Sequence, residues 1–129
     1  MASTKNIGYP TKIVVVNIIK EVFIRCFNQL PPKGTVYPFA VYEIEIIDNH
    51  PGNLLILTID LWDNKKNQMA FEILADELVE ILDYVTNSDD NKSVHFNGYV
   101  KYNRDIPTQE EDLIKKQIYG EYNLYKTTI

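Results

Sequence analysis

The amino-acid sequence predicts an α+β fold in which two helices pack on one face of a four-stranded antiparallel sheet, in the order α-β-β-α-β-β. Two segments repeat apolar residues every three or four positions, as amphipathic helices do. Four other segments are rich in Val, Ile, Leu and aromatic residues, and they occur as two consecutive pairs. Because such pairs form antiparallel hairpins, and each helix has one apolar stripe, we expect two layers.

The first helix is predicted over residues 11–29, after a loose arm at residues 1–10. Pro10 and the pair Pro31-Pro32 delimit the periodic segment. The β-branched run at residues 13–16 is stiff in helices, so a strand is the alternative for its beginning. The apolar positions of this helix are Ile13, Val16, Ile19, Phe23, Phe27 and Leu30.

A β-hairpin is predicted from two apolar runs, Phe39 to Ile47 and Leu54 to Trp62. The six residues between them include Asp, Asn, Pro and Gly, which are the residues that turns require. We therefore expect these two strands to be neighbours in the sheet.

The second helix is predicted over residues 65–86, with Asp63 or Asn64 as its N-cap. Its apolar residues follow the spacing of one buried helix face. They are Ala70, Ile73, Leu74, Leu78, Ile81, Leu82 and Val85.

Two further strands are predicted at Val94 to Tyr102 and at Ile118 to Tyr125, joined by a polar loop. No linker or repeat divides residues 11–129, so they are predicted to form one domain.

Composition excludes several classes of function. The chain has 129 residues with 13 basic and 18 acidic side chains, a net charge of −5 that does not favour specific binding of nucleic acid. A single cysteine, Cys26, excludes an internal disulfide. No apolar run reaches the length of a membrane span, so we predict no membrane association.

Residues with catalytic potential are scattered. His50, His95 and Cys26 have no partner at the spacing of a metal site or a catalytic pair, and we predict no enzyme activity, metal or cofactor. Glu43 and Glu45 project from one face of a strand and could share a proton or a divalent ion. Solvated surface carboxylates are the commoner case.

The face of the sheet turned away from the helices is predicted to be unusually apolar and aromatic. It would carry Leu54, Ile56 and Trp62 from one strand. The chain has nine tyrosines, and Tyr and Trp are enriched at protein interfaces. The predicted interface residues are Trp62, Tyr99, Tyr119 and Tyr125.

Acidic residues are concentrated on the second helix and in the last loop. The simpler interpretation is a solvated surface, and the alternative is a surface that repels a passing polyanion. The first set is Glu72, Asp76, Glu77, Glu80, Asp83, Asp89 and Asp90, and the second is Glu110, Glu111 and Asp112.

Three segments together resemble the tail-terminator, or tail-completion, proteins of long-tailed bacteriophages and prophages. They are the Pro-led strand Tyr-Pro-Phe-Ala-Val-Tyr-Glu at 37–43, the strand Leu-Thr-Ile-Asp-Leu-Trp-Asp at 57–63, and a helix with Ala70, Leu74-Ala75-Asp76 and Ile81-Leu82-Asp83. A Tyr-rich closing strand follows, and the resemblance extends from about Ile13 to Lys126.

The resemblance implies a structural protein that forms a hexameric ring on the finished tail tube, stops its polymerisation and joins it to the head. The expected partners are further copies of the chain, the tail-tube protein and the head connector, in the virion and, during assembly, in the host cytoplasm. It implies no catalytic residues. DNA would pass through the ring without specific binding, and part of the two acidic sets would line or border the channel.

Two alternatives remain open at this stage. One is a head-completion or connector adaptor protein. The other is a small ligand-binding or enzymatic α+β domain that uses Glu43 and Glu45 or the histidines.

Overall fold

The computed structural model describes residues 4–49, 52–83, 85–88 and 94–126. Within these residues the chain forms two α-helices, a short 3₁₀ turn at Lys65–Asn67 and six strands. The elements are α1 (Thr4–Lys20), β1 (Cys26–Phe27), β2 (Phe39–Asn49), β3 (Gly52–Asn64), α2 (Gln68–Leu82), β4 (Val85–Ser88), β5 (Val94–Ile106) and β6 (Leu113–Lys126).

The predicted α+β class is correct, but the sheet differs from the predicted one. In the described residues it has six strands in the order β1-β2-β3-β6-β5-β4, and it is mixed because β1 pairs with β2 in parallel. The four predicted strands form its centre, but β5 extends to Ile106 and β6 begins at Leu113, so both run into the predicted polar loop. The two additional strands at the edges contain two and four residues, too few for an alternating pattern to indicate them.

The predicted hairpin is confirmed. β2 and β3 are antiparallel from the pair Phe39 and Trp62 to the pair Asn49 and Gly52. The last strand, β6, lies beside β3 along its whole length and also pairs with β5. β3 and β6 are therefore the central strands of the sheet.

The prediction for the first helix was wrong at both ends. α1 begins at Thr4, so residues 4–10 are helical where an arm was predicted, and it ends at Lys20 and not at residue 29. Hydrogen bonds from the Glu21 and Val22 N–H groups to carbonyls three residues earlier tighten its last turn. The predicted core residue Leu30 lies beyond this turn and is 72% exposed.

The β-branched run of α1 is helical because packing outweighs intrinsic propensity. Val15 and Ile19 are completely buried, with Val14 and Ile18 beside them, whereas Ile13 is 42% exposed. Ile19 and Phe23 are therefore buried as predicted, whereas Val14, Val15 and Ile18 are buried in place of the predicted Ile13.

The second helix is shorter than predicted and starts differently. Asp63 does not cap it: this buried carboxylate accepts hydrogen bonds from the Asn64 N–H at 2.7 Å and from Asn67 Nδ2 at 3.2 Å. Asn67 occupies the N-cap position without a side-chain cap bond. Asp63 instead holds the turn between β3 and α2. At the other end Val85, predicted on the helix, begins strand β4.

The buried face of α2 is rotated relative to the predicted face. Its buried residues are Phe71, Ala75, Leu78 and Leu82. Ile73 is 55% exposed. Leu78 and Leu82 belong to one apolar cluster with the odd-numbered residues Leu55, Leu57, Ile59 and Leu61 of β3.

A buried lysine connects the helix layer to the sheet. Lys116 of β6 is 7% exposed, and its Nζ lies 2.9 Å from a carboxylate oxygen of Glu72 on α2 and 2.9 Å from one of Asp105 on β5. Burial lowers the pKa of Lys116, but the hydrogen bonds that its Nζ donates to both carboxylates raise it by more. The ammonium group therefore stays charged in the interior because two carboxylates solvate it.

Tyr122 of β6 lies in a slot formed by two glycines. A Cβ atom on Gly120 would lie 2.7 Å from the Tyr122 hydroxyl oxygen, and one on Gly98 would lie 2.8 Å from its Cδ2. The hydroxyl donates a hydrogen bond of 2.8 Å to the carbonyl of Leu82, the last residue of α2. Burial, together with the Asp83 carboxylate, raises the pKa of this phenol far above its usual range.

Leu78→Ala should lower the free energy of unfolding by about 2–5 kcal/mol, because the site is fully buried and leaves a cavity. Ile73→Ala is the matched control, and we expect a change within about 0.5 kcal/mol for this exposed site. Urea unfolding of both variants is the measurement. Equal losses would contradict the orientation of α2.

Tyr122→Phe should destabilise the protein by about 1–3 kcal/mol, because the buried Leu82 carbonyl loses its donor. Tyr99→Phe removes a hydroxyl at an exposed site and should change stability by no more than about 0.5 kcal/mol. Thermal unfolding compares the two. An unchanged midpoint for Tyr122→Phe would show that this hydrogen bond does not hold the helix end.

Candidate interaction surface

The outer face of the sheet is the side turned away from the helices. Strand register places Trp62 opposite Phe39 and Lys115, and Tyr119 opposite Thr58 and Tyr102. Residues of this face include Val41, Glu43, Glu45, Leu54, Ile56, Thr58, Asp60, Trp62, Tyr99, Tyr102, Arg104, Lys115, Gln117, Tyr119 and Glu121. Three of the predicted interface residues, Trp62, Tyr99 and Tyr119, lie on it. Tyr125 pairs with His95 in the sheet, and both side chains are outside the described part.

One end of the outer face is an aromatic cluster. The Phe39 ring stacks on Trp62 with centroids 6.3 Å apart and on Tyr37 at 5.2 Å. Phe27 contacts Phe39 edge-on at 6.3 Å. The loop that carries Tyr37 is held by Arg25, whose guanidinium donates hydrogen bonds to three successive carbonyls, those of Val36, Tyr37 and Pro38. The sequence indicated Tyr37 only as the start of the segment 37–43, because the position of the loop depends on hydrogen bonds from Arg25, which precedes β1.

A polar network crosses the middle of the outer face. Lys115 Nζ lies 4.7 Å from the centre of the Trp62 ring and 3.6 Å from an Asp60 oxygen. Gln117 Nε2 donates to Asp60 at 3.0 Å, and Gln117 Oε1 accepts from the Tyr102 hydroxyl at 3.1 Å. These side chains hold one another in place, so the face is largely preorganised for binding.

The other end of the outer face is rich in tyrosine. The rings of Tyr102 and Tyr119 stack at 5.1 Å with 12° between their planes. The Tyr119 hydroxyl donates to Glu121 at 2.9 Å, which raises the pKa of Tyr119. Lys101 Nζ donates to the Tyr99 hydroxyl at 2.8 Å, and this bond raises the pKa of Lys101. Tyrosine rings thus cover the sheet while their hydroxyl groups remain in a polar network.

Trp62 Nε1 is a buried donor without an acceptor among the described residues. The Trp62 side chain also borders a groove of about 310 Å³, formed with Leu113, Lys115 and residues 107–110. An unpaired buried donor costs stability, and here it lies in a side chain that borders an open groove. Only the fold brings the 107–110 loop to Trp62, so the sequence alone could not indicate the groove.

The predicted acidic residues divide into two groups. Glu72 pairs with Lys116, and Asp83 Oδ1 accepts a hydrogen bond of 2.9 Å from the Val100 N–H, so both have structural roles. The others with described side chains are exposed: Asp76, Glu77 and Glu80 on α2, and Glu110, Glu111 and Asp112 between β5 and β6. Asp89 and Asp90 lie outside the described residues. The exposed side of α2 and the outer face of the sheet belong to opposite layers.

Of the residues considered for catalysis, Cys26 lies on β1, and Glu43 and Glu45 lie on the outer face of β2. Burial raises the pKa of the Cys26 thiol to about 11, although Lys20 opposes this, so the thiol is protonated at neutral pH. Glu43 and Glu45 are exposed, and His50 lies outside the described residues. In the described part of the chain no three His, Cys, Asp or Glu residues are grouped to hold a metal ion. None of the helices described is long and apolar enough to cross a membrane.

No protein-family model matches the chain, and no curated protein sequence does. A solved structure described as "Virion of native gene transfer agent (GTA) particle" contains a chain with the same fold. The two superpose with a TM-score of 0.64 over 92% of this chain and 99% of that chain, at 6% sequence identity. The likeness therefore lies in the fold and extends over nearly the full length of both chains.

Proposed function

We propose that this protein is a structural component of a phage-like virion, and specifically a tail terminator whose copies form a ring that ends the tail tube and joins it to the head. The observation that carries the proposal is the fold shared over 92% of this chain with a chain of the gene transfer agent virion. The three segments that resemble tail terminators add the specific role. A hexamer is the expected ring.

The outer face supports a role in assembly. It combines a stacked aromatic cluster around Trp62 with the tyrosine pair of Tyr102 and Tyr119. Large rigid rings with polar tips are the side chains that contribute most at protein interfaces. Their mutual contacts reduce the loss of side-chain entropy on binding.

The acidic residues support the passage of DNA in this proposal. The exposed carboxylates of α2 lie on the layer opposite the aromatic face. One layer can therefore contact protein while carboxylates of the other layer or of the Glu110–Asp112 loop border the channel. An acidic border would not retain DNA by phosphate contacts.

The mass of the purified protein in solution, alone and with its tail-tube protein, tests the proposed function. We expect a closed ring with about six times the monomer mass in at least one condition, and electron microscopy should show the ring at the ends of tubes. A protein that stays monomeric at every concentration and leaves tube ends bare would contradict the proposal. Binding to the head connector without binding to tubes would identify an adaptor instead.

Trp62→Phe should weaken attachment to tubes about tenfold, because phenylalanine keeps a ring beside Phe39 but is too small to border the groove as the indole does. The fold should remain intact, since Nε1 has no acceptor among the described residues. The measurement is the protein concentration needed to occupy half of the tube ends. Tyr37→Phe, also in the aromatic cluster, is the control, and equal effects of both variants would exclude a specific role of the indole ring.

A further inference from the structure

Strand β2 has an outer edge that is only partly covered. β1 pairs with Ala40 and Val41, and no described strand pairs with the rest of that edge. The Ala40 N–H donates to the Arg25 carbonyl at 2.9 Å, on the β1 side. Because alternate residues direct their backbone groups to the same edge, the N–H and C=O groups of Tyr42, Ile44 and Ile46 point to the uncovered side.

Strand β5 has a matching uncovered stretch at the other side of the sheet. β4 pairs with residues 95–98 of β5, and the Asp83 carboxylate accepts a hydrogen bond from the Val100 N–H just beyond them. From Lys101 to Ile106, no described strand pairs with β5 on the side away from β6. Open strand edges of this kind are sites where another strand adds.

The two uncovered stretches run in opposite directions. The strands from β2 through β3 and β6 to β5 are all antiparallel to their neighbours, so β2 and β5 are antiparallel to each other. A rotation about an axis along the strands therefore places β5 of one copy beside β2 of the next in antiparallel orientation. The sheet would continue with the same outer face, and repetition of this head-to-tail contact closes a ring.

Charges on the outer face are complementary at these two edges. Glu43 and Glu45 are exposed on β2, and neither forms an ion pair within the described residues. Lys101 and Arg104 are exposed on β5, on the same face, as their contacts with Glu121 and Gln117 show. Opposite charges on neighbouring antiparallel strands stabilise their pairing, whereas like charges oppose it.

From these observations we infer that copies of this chain join by antiparallel strand pairing between residues 42–47 of β2 in one copy and 101–106 of β5 in the next, with Glu43 and Glu45 beside Lys101 and Arg104. The inference rests on the proposed function, because it specifies the contact that builds the ring. The partner is a second copy, since both complementary edges belong to the same chain.

Charge reversal in pairs tests this contact under the condition in which the wild type forms rings. E43K/E45K should not assemble alone, because lysines would face Lys101 and Arg104, and K101E/R104E should fail for the corresponding reason. An equal mixture should assemble, because every contact in an alternating ring then joins opposite charges. The readout is the mass of each sample, and circular dichroism checks the fold of each variant.

Two variants with the same changes of charge elsewhere serve as controls. D76K/E77K and K65E/K66E alter exposed residues away from both edges and should assemble like the wild type. Assembly of each edge variant alone would overturn the inference and leave the proposed ring intact. Failure of the mixture, with folded variants, would also overturn it. If the wild type itself never assembles, even with tubes, the proposed function fails and the inference with it.

Cysteine cross-linking tests the same contact without reversing charge. In a Cys26→Ser background, E43C/R104C should give an oxidised ladder of multimers up to the ring. β2 and β5 are separated by two strands, about 14 Å, so the pair cannot close within one chain. E43C/E110C is the control and should give no ladder. Absence of a ladder from E43C/R104C and from E45C/R104C in assembled rings would overturn the inference.

Discussion

Tyr122 connects the layers of this protein, and it can do so only because two neighbouring positions lack side chains. Gly98 and Gly120 leave the surface of β5 and β6 open on the helix side, and the ring fills the space that their Cβ atoms would occupy. The hydroxyl then reaches the carbonyl at the end of α2. Glycine is required here for space. The position of α2 over the sheet depends on this contact and on the ion pair of Lys116 with Glu72.

Asp83, at the end of α2, also determines how the edge of the sheet at β5 is covered. The Asp83 N–H caps the helix by donating to Val79, and its carboxylate binds the Val100 N–H. One residue therefore stops the helix, directs the chain into β4 and closes part of the β5 edge. Beyond this point β5 remains uncovered by any described strand, which leaves an edge available to another copy.

In the proposed ring, the sheet and the helix layer have different roles. The helix side of the sheet is an apolar core joined to α2 by Tyr122 and Lys116, whereas the outer face is organised by ring stacking and by hydrogen bonds among polar side chains. A surface held in this way has little side-chain entropy left to lose when it binds. The acidic side of α2 is separated from it by the thickness of the domain. The same chain can thus bind protein through one layer and face a polyanion with the other.

The sequence by itself determined the α+β class, the β2–β3 hairpin, the four central strands and the placement of Trp62, Tyr99 and Tyr119 on one face, because alternation along a strand needs no knowledge of distant residues. It did not determine the limits of α1, the rotation of α2 or the role of Asp63, which depend on packing between residues far apart in the chain. Strands β1 and β4 are too short to show an alternating pattern of apolar residues. They form because the backbone groups of β2 and β5 are available for hydrogen bonding beside them. Only the tertiary structure decided the Trp62 groove and the complementary edges. The groove forms because the fold brings the 107–110 loop to Trp62. The edges are complementary because the strand order places β2 and β5 on opposite sides of one sheet.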